Sequence, residues 1–214
     1  KHLILGYGEV GKAIHKIVKE AYIIDFEFDN WRLEPVDFIH ICIPYSKDFN
    51  KAVKQYKEVG LVICHSTVPV GVCDKLGIVH SPIRGVHPKL EKGIRTFVKY
   101  FGGKGAKKAA ELFKSLGIKT RVFKNARTTE ALKLWDTTQY GRLIMLEKEI
   151  YAWCKKHKVD FDAVYTQANK DYNEGYVKLG RPEVVRPYLK HIEGKIGGHC
   201  VCQNAKLLGI KLSE

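Results

Sequence analysis

The residues whose type and spacing promise chemistry begin with three glycines. Gly6-x-Gly8-x-x-Gly11 follows a short apolar run, His2 to Leu5, and leads into a helical pattern with Ala13, Ile14, Ile17 and Val18 on one face. This is the dinucleotide-binding fingerprint in the context it requires, strand before and helix after. Gly6 permits the tight turn, Gly8 lets the backbone approach a pyrophosphate, and Gly11 lets the helix pack closely on the strand. Tyr7, Glu9 and Val10 complete the loop, whose free N–H groups and positive helix end are suited to phosphate. A second apolar run, Tyr22-Ile23-Ile24, ends in Asp25, close to the spacing of about 20 residues expected for the acid that accepts the ribose hydroxyls. An acid there favours NAD over NADP; Glu27 and Asp29 stand nearby as alternatives.

Other reactive side chains give weaker signals. The six cysteines are scattered, and Cys42 and Cys64 fall in apolar runs, so a disulfide framework is not expected and a reducing cytoplasm is. Cys200-x-Cys202 beside His199 has the form of half a metal site, but no second Cys/His pair lies at zinc spacing, and no metal is expected. Arg181, Arg186, Lys190, His191 and Lys195 form a basic group just before Cys200, suited to an anionic small molecule. The net charge of +14 also favours anionic partners. Because the lysines are spread along the chain, this reads as a solvated basic surface and not as a specific nucleic-acid stripe.

The elements that must position these residues alternate. Short apolar runs at His2–Leu5, Tyr22–Asp25, Asp37–Ile43, Leu61–His65, Gly77–Pro82, Phe97–Phe101 and Ile118–Phe123 read as strands, with helices at 47–58 and 104–116 and a loop to about residue 93. This predicts an α/β fold with a largely parallel sheet. Only about ten residues separate the second and third runs, too few for a crossover helix plus a strand, so the Rossmann-type sheet is expected to be a minimal one lacking its usual third strand. From Thr128 to His157 apolar residues recur at helical spacing, interrupted only by an isolated Gly141. A helix of about 30 residues, roughly 45 Å long, outruns a small domain; it is read as a connector and as the core of a homodimer. The expected division is a dinucleotide-binding domain over 1–126, then the long helix and a small helical domain over 127–214, in which a short helix over 204–208 follows Cys200. No apolar run approaches the roughly 20 residues of a membrane span, and no signal peptide is expected.

In order, GYGEVG, ICIP ending at Pro44, HSTVPVG beginning at His65, Ser81-Pro82, Glu130-x-x-Lys133 on the long helix and GGHC ending at Cys200 resemble the UDP-glucose/GDP-mannose dehydrogenase family through its NAD-binding and central domains. That family oxidises C6 of a nucleotide sugar from alcohol to acid with two NAD. The resemblance implies cofactor contacts at Pro44, Ser66 and Thr67, with Thr67 also holding a catalytic water. It implies that Lys133 stabilises oxyanion character and that Cys200 forms a thiohemiacetal and then a thioester, which a second oxidation needs. Thr137 and Asn204 stand where the family has a catalytic Asn and Asp, and Ile83-Arg84 follows Ser81-Pro82 where a general-base Glu is expected; His87 is a conceivable substitute acid or base. The family's third domain, which grips the nucleotide diphosphate, is expected to have no counterpart in this sequence. The expected function is therefore oxidation of a hydroxyl on an anionic, sugar-type substrate. The alternative is a dinucleotide-binding module without catalysis.

Overall fold

The structure, a computed structural model, describes residues 1–194 and 199–212, so Lys195, Gly197, Gly198 and the side chain of His199 lie outside the described residues. The chain divides into two compact units, Lys1–Lys133 and Leu134–Glu214.

In the first unit an eight-stranded sheet runs in the order β3-β2-β1-β4-β5-β6-β7-β8. Its strands are β1 (His2–Leu5), β2 (Ala21–Asp25), β3 (Phe28–Asp29), β4 (Phe38–Ile41), β5 (Leu61–Cys64), β6 (Val79–His80), β7 (Lys99–Gly102) and β8 (Thr120–Phe123). All neighbours are parallel except β2 with β3 and β6 with β7. The central strands read as unbroken apolar runs because both faces are covered. Ile4, Ile63 and Phe101 face α1 (Glu9–Val18), α4 (Leu90–Thr96) and α5 (Ala106–Ser115). Leu3, Leu5, Ile39, Ile41 and Val62 face α2 (Phe49–Lys54) and α3 (Val72–Leu76).

The connection from β2 to β4 contains no crossover helix. It holds the two-residue β3, folded back antiparallel on β2, where Asn30 Oδ1 accepts the Ile23 N–H at 2.7 Å and Asp29 Oδ1 accepts the Trp31 N–H at 2.9 Å. The sheet is largely parallel, as expected, with antiparallel pairings at β2–β3 and β6–β7. One expectation is corrected in this unit. The loop expected to reach residue 93 contains the start of α4, whose Gly93 lies so close to the preceding loop that a Cβ would meet Gly85 Cα and Arg84 O at 2.5 Å. Gly93 is here a packing contact between helix and loop.

The long helix α6 (Ala126–His157) begins two residues before the expected start, where Asn125 Oδ1 accepts the Thr128 N–H at 3.0 Å. Its first turns and α3 cap each other. Asp74 of α3 accepts the N–H groups of Ala126 at 2.8 Å and Arg127 at 3.2 Å. Glu130 of α6, fully buried, accepts those of Gly71 at 2.5 Å and Cys73 at 2.8 Å. Carboxylates at helix N-termini satisfy orphan donors and the dipole together. Glu130→Ala leaves two buried donors unpaired and is expected to cost about 3 kcal/mol in denaturant unfolding, with Glu130→Gln losing less than half of that.

The second unit comprises the remainder of α6, a π-helical turn at Asp162–Gln167 continuing into α7 (Ala168–Lys178), a short 3-10 turn at Pro182–Val184, and α8 (His199–Leu207). Tyr151 stacks on His191 with ring centroids 3.7 Å apart, and Phe161 meets both rings. Gly141 has a packing role in α6, because a Cβ there would stand 2.6 Å from Val201 Cγ1 and 2.7 Å from Leu212 Cδ1. The helix expected to follow Cys200 begins before it, so the cysteine lies on the first turn of α8. Among the described residues no helix is long and apolar enough to cross a membrane.

Candidate functional site

The glycine turn is built by contacts that exclude larger residues at two of its three positions. Gly6 has φ +92° and donates its N–H to Ile24 O at 2.8 Å; a Cβ would stand 2.8 Å from Ile43 Cγ2. At Gly11 a Cβ would stand 2.0 Å from Gly6 O, so α1 rests directly on the turn. Gly8 differs: a Cβ there would meet nothing within 4 Å, and no side chain caps α1 at this position. The backbone is therefore open at the point where the helix dipole ends.

Asp25, at the C-terminal end of β2, locks the same turn. Its Oδ2 accepts the Tyr7 N–H at 2.6 Å and its Oδ1 the Phe26 N–H at 2.7 Å. Tyr7 in turn reaches His15 Nδ1 through its hydroxyl at 2.6 Å. Glu9, the first residue of α1, pairs with Nδ1 of His87, which brings the loop after β6 to the start of that helix. Val10 is half-buried and packs against the core on the α1 side of the sheet. Beside the turn lies a cleft of about 520 Å³ lined by Gly6, Asp25, Phe26, Pro44, Phe49 and Tyr56 among others. It opens at the C-terminal ends of the parallel strands, where sheets of this kind bind ligands. A hollow of about 580 Å³ lined by Lys1, His2, Lys19 and Tyr22 lies at the opposite strand ends, away from the glycines.

The segment after β5 is fixed by Ser66, buried, whose hydroxyl donates to Ile43 O at 2.6 Å and so ties it to the Pro44 loop after β4. Thr67 follows, half-buried. Lys133 donates from Nζ to Ile83 O at 2.8 Å. Arg84, in the Ile83-Arg84 segment that follows Ser81-Pro82, is used structurally: it donates to Val98 O at 2.8 Å and lies over the Tyr100 ring at 4.4 Å.

Sequence reading missed a buried polar group in this unit. His40, His65, His80 and Lys99 lie at 0 to 4% exposure inside the sheet layer. Burial holds His40 and His65 well below the usual imidazole range and His80 at about 3, so all are neutral. The available signal was polar residues inside apolar strand runs.

In the second unit, Thr137 and Asn204 are partners. The Asn204 amide, 4% exposed, donates to Thr137 Oγ1 at 2.9 Å, and Thr137 Oγ1 donates to Leu134 O at 3.2 Å. Cys200 is exposed and Cys202 half-buried, both as free thiols. Of the basic group, Arg181 pairs with Glu183 at 2.6 Å, Arg186 lies 3.5 Å over the Tyr172 ring, and His191 meets Glu147 Oε1 at 2.5 Å. No group of three potential metal ligands occurs among the described residues.

Compared with known proteins, the chain matches no protein-family model and no curated protein sequence. Solved structures are similar over almost its whole length. A UDP-D-ManNAc dehydrogenase from Pyrococcus horikoshii superposes with a TM-score of 0.74 at 20% identity, over 97% of this chain and 63% of that one. An NDP-N-acetyl-D-galactosaminuronic acid dehydrogenase from Methanosarcina mazei Go1 gives 0.71 at 17%, over 97% and 59%. The UDP-N-acetyl-mannosamine dehydrogenase Cap5O from Staphylococcus aureus gives 0.70 at 18%, over 97% and 65%. The chain thus spans about three fifths of the length of these neighbours. The fold of this chain is the one found over about the same three fifths of these UDP-sugar dehydrogenase structures.

Proposed function

We propose that this chain is an NAD-dependent dehydrogenase of the nucleotide-sugar type, oxidising a CH–OH group of an anionic, sugar-like substrate. The observation that carries the reading is the Asp25 carboxylate fixed against an open-backed glycine turn, beside a cleft at the C-terminal strand ends. The residues present fit the cofactor. Gly8 leaves its backbone free for the pyrophosphate, with Tyr7 to Gly11 around it. Each Asp25 oxygen accepts one backbone N–H and keeps a lone pair for a ribose hydroxyl. Phe26, Pro44 and Tyr56 give the cleft apolar walls for an adenine, and Ser66 and Thr67 are assigned to the nicotinamide end. Bound there, NAD supplies the hydride acceptor.

The remaining roles belong to the chain's own side chains. Lys133 stabilises negative charge developing on the substrate oxygen. The Cys200 thiol adds across the carbonyl of an aldehyde product, sulfur to carbon and proton to oxygen, giving a thiohemiacetal. Thr137 and Asn204 orient polar groups by hydrogen bonding, since an amide and a hydroxyl do not serve as a general base. His87, held by Glu9 at the start of α1, is the candidate acid–base group. Arg181, Arg186 and Lys190 select for substrate anions. The exposed Trp135, Tyr140, Leu146 and Trp153 of α6 are assigned to a homodimer contact, and the working compartment to the cytoplasm.

NADH titration followed by fluorescence tests the first step: micromolar binding is expected, and no binding up to millimolar removes the proposal. A screen of UDP- and GDP-sugars for NAD reduction then identifies the substrate class. Cys200→Ala is expected to abolish acid formation while leaving NADH affinity unchanged. Full turnover in that variant makes the cysteine structural and the reaction a two-electron oxidation.

A further inference from the structure

A line of imidazoles crosses the α1/α5 face of the sheet diagonally. His2 is on β1, His40 on β4, and His65 follows β5. The register produces the line. His2 pairs with Phe38 and His40 with Ile63, so each step moves one strand across and two residues up. Two residues along a strand returns to the same face, and such diagonal neighbours are within reach of ring side chains. His2 Nδ1 lies 3.1 Å from His40 Nε2, and His40 Nδ1 lies 3.0 Å from His65 Nε2. His65 Nδ1 lies 2.8 Å from Ser81 O and 3.4 Å from Lys99 Nζ. Lys99 Nζ itself donates to Ser81 O at 3.1 Å and Pro82 O at 3.4 Å. The line runs from half-buried His2, at the N-terminal ends of the strands, to an amine beyond their C-terminal ends that is 4% exposed.

Among the described residues Lys99 has no counter-ion. The titratable and charged groups acting on or with it are Cys42 after β4, His40 on β4, His65 after β5, His80 on β6, Arg84 after β6 and Lys133 on α6; no carboxylate is among them. The Phe101 and Phe113 rings cover the rest of the amine. Burial without compensation brings its pKa down to about 7.

We propose that His2, His40 and His65 form a proton relay that charges and discharges Lys99, and that Lys99 is thereby a positioning residue for the Ser81–Ile83 turn on which Lys133 is anchored. With Lys99 neutral, each imidazole carries its proton on Nδ1: His2 donates to His40, His40 to His65, and His65 to Ser81 O. A proton taken from water at His2 Nε2 displaces the Nδ1 proton of His2 onto His40 Nε2. The Nδ1 proton of His40 passes to His65 Nε2, and that of His65 to the Lys99 lone pair. One proton leaves solvent and one reaches Lys99; the imidazoles end neutral, each with its proton on Nε2. In this state the three ammonium protons have three acceptors, Ser81 O, Pro82 O and the bare Nδ1 of His65. Discharge runs the same transfers backwards, with no ring flip. The charged state grips the turn more firmly, since charge-assisted hydrogen bonds are the stronger ones. The next carbonyl, Ile83 O, is the one Lys133 holds; the catalytic meaning of that contact rests on the function proposed above.

The test is nitrogen-15 NMR of the histidine rings and the Lys99 amine in the unsubstituted protein through neutral pH. The relay requires His40 and His65 to exchange protonated and bare nitrogens together, at one midpoint near pH 7 shared with Lys99 Nζ. Fixed tautomers through the Lys99 titration overturn it. Lys99→Met is expected to freeze both rings in one tautomer; an exchange that persists in that variant also overturns it. The carbonyl carbon shift of Ile83 is expected to move at the same midpoint, and its constancy overturns the positioning role. None of these readouts needs a substrate, so they fail or succeed separately from the dehydrogenase assignment.

Discussion

Gly11→Ala is expected to leave the first unit unfolded or severely destabilised, with a loss of about 4 kcal/mol or more. The added methyl would stand 2.0 Å from Gly6 O, 3.0 Å from Gly6 C and 3.4 Å from Ile4 Cγ2. The first two atoms are backbone of the turn itself, so no side-chain rotation relieves the overlap. Helix α1 must lift off β1, giving up the packing of Ile14 and Ile17 against the core. Such a loss is a large share of the roughly 5–15 kcal/mol by which a domain is stable. Gly8→Ala provides the contrast. Its methyl meets nothing within 4 Å, and its φ of −68° suits any residue. It is expected to fold with an unchanged melting temperature and to lose at least tenfold in NADH affinity, because the methyl fills the space assigned to the pyrophosphate. Thermal melts and NADH titrations on the two variants separate fold from function. If Gly8→Ala binds NADH as the unsubstituted protein does, the pyrophosphate does not lie there.

The parts of this molecule that were legible in its sequence are those whose cause is local. The glycine turn, the acid at the end of β2 and the missing crossover before β4 follow from spacing along a few tens of residues. The reciprocal capping of α3 and α6 was hidden because each helix supplies the other's cap: Asp74 and Glu130 reach backbone groups more than fifty residues away. The Asn204–Thr137 hydrogen bond was hidden for the same reason, its partners being 67 positions apart. In sequence they are two departures from a family pattern; in the fold they are one contact joining α8 to α6. Likewise α4 lay inside a stretch read as loop, and what fixes it is the contact of Gly93 with Arg84 and Gly85 of the preceding loop. The histidine line depends wholly on strand register, a long-range property that no single strand's pattern carries.

The same buried histidines and lysine dictate an unusual stability profile. His40, His65 and His80 are neutral when folded, because burial pushes their pKa values far below the usual 6.5. Below pH 6.5 the unfolded chain binds protons there that the folded chain refuses, so their contribution is complete above 6.5 and is lost as pH falls. All three groups push the same way, so stability falls steeply as pH drops below 6.5. Lys99 acts in the alkaline range. Its amine is held at about 7 against an ordinary 10.5, so the cost of burying its charge is present in full below 7 and is relieved as pH rises toward 10.5. This adds up to about 1.4 kcal/mol per pH unit in that window. Stability measured by urea unfolding is therefore expected to rise from pH 5 through 7 to 9, whereas most proteins peak between about 5 and 8. Lys99→Met removes the amine and its penalty: it is expected to gain stability at pH 6 and to flatten the profile above pH 7, while the acid limb stays. A flat profile from pH 7 to 9 in the unsubstituted protein would show that Lys99 keeps an ordinary affinity for its proton, and Lys99→Met would then gain nothing.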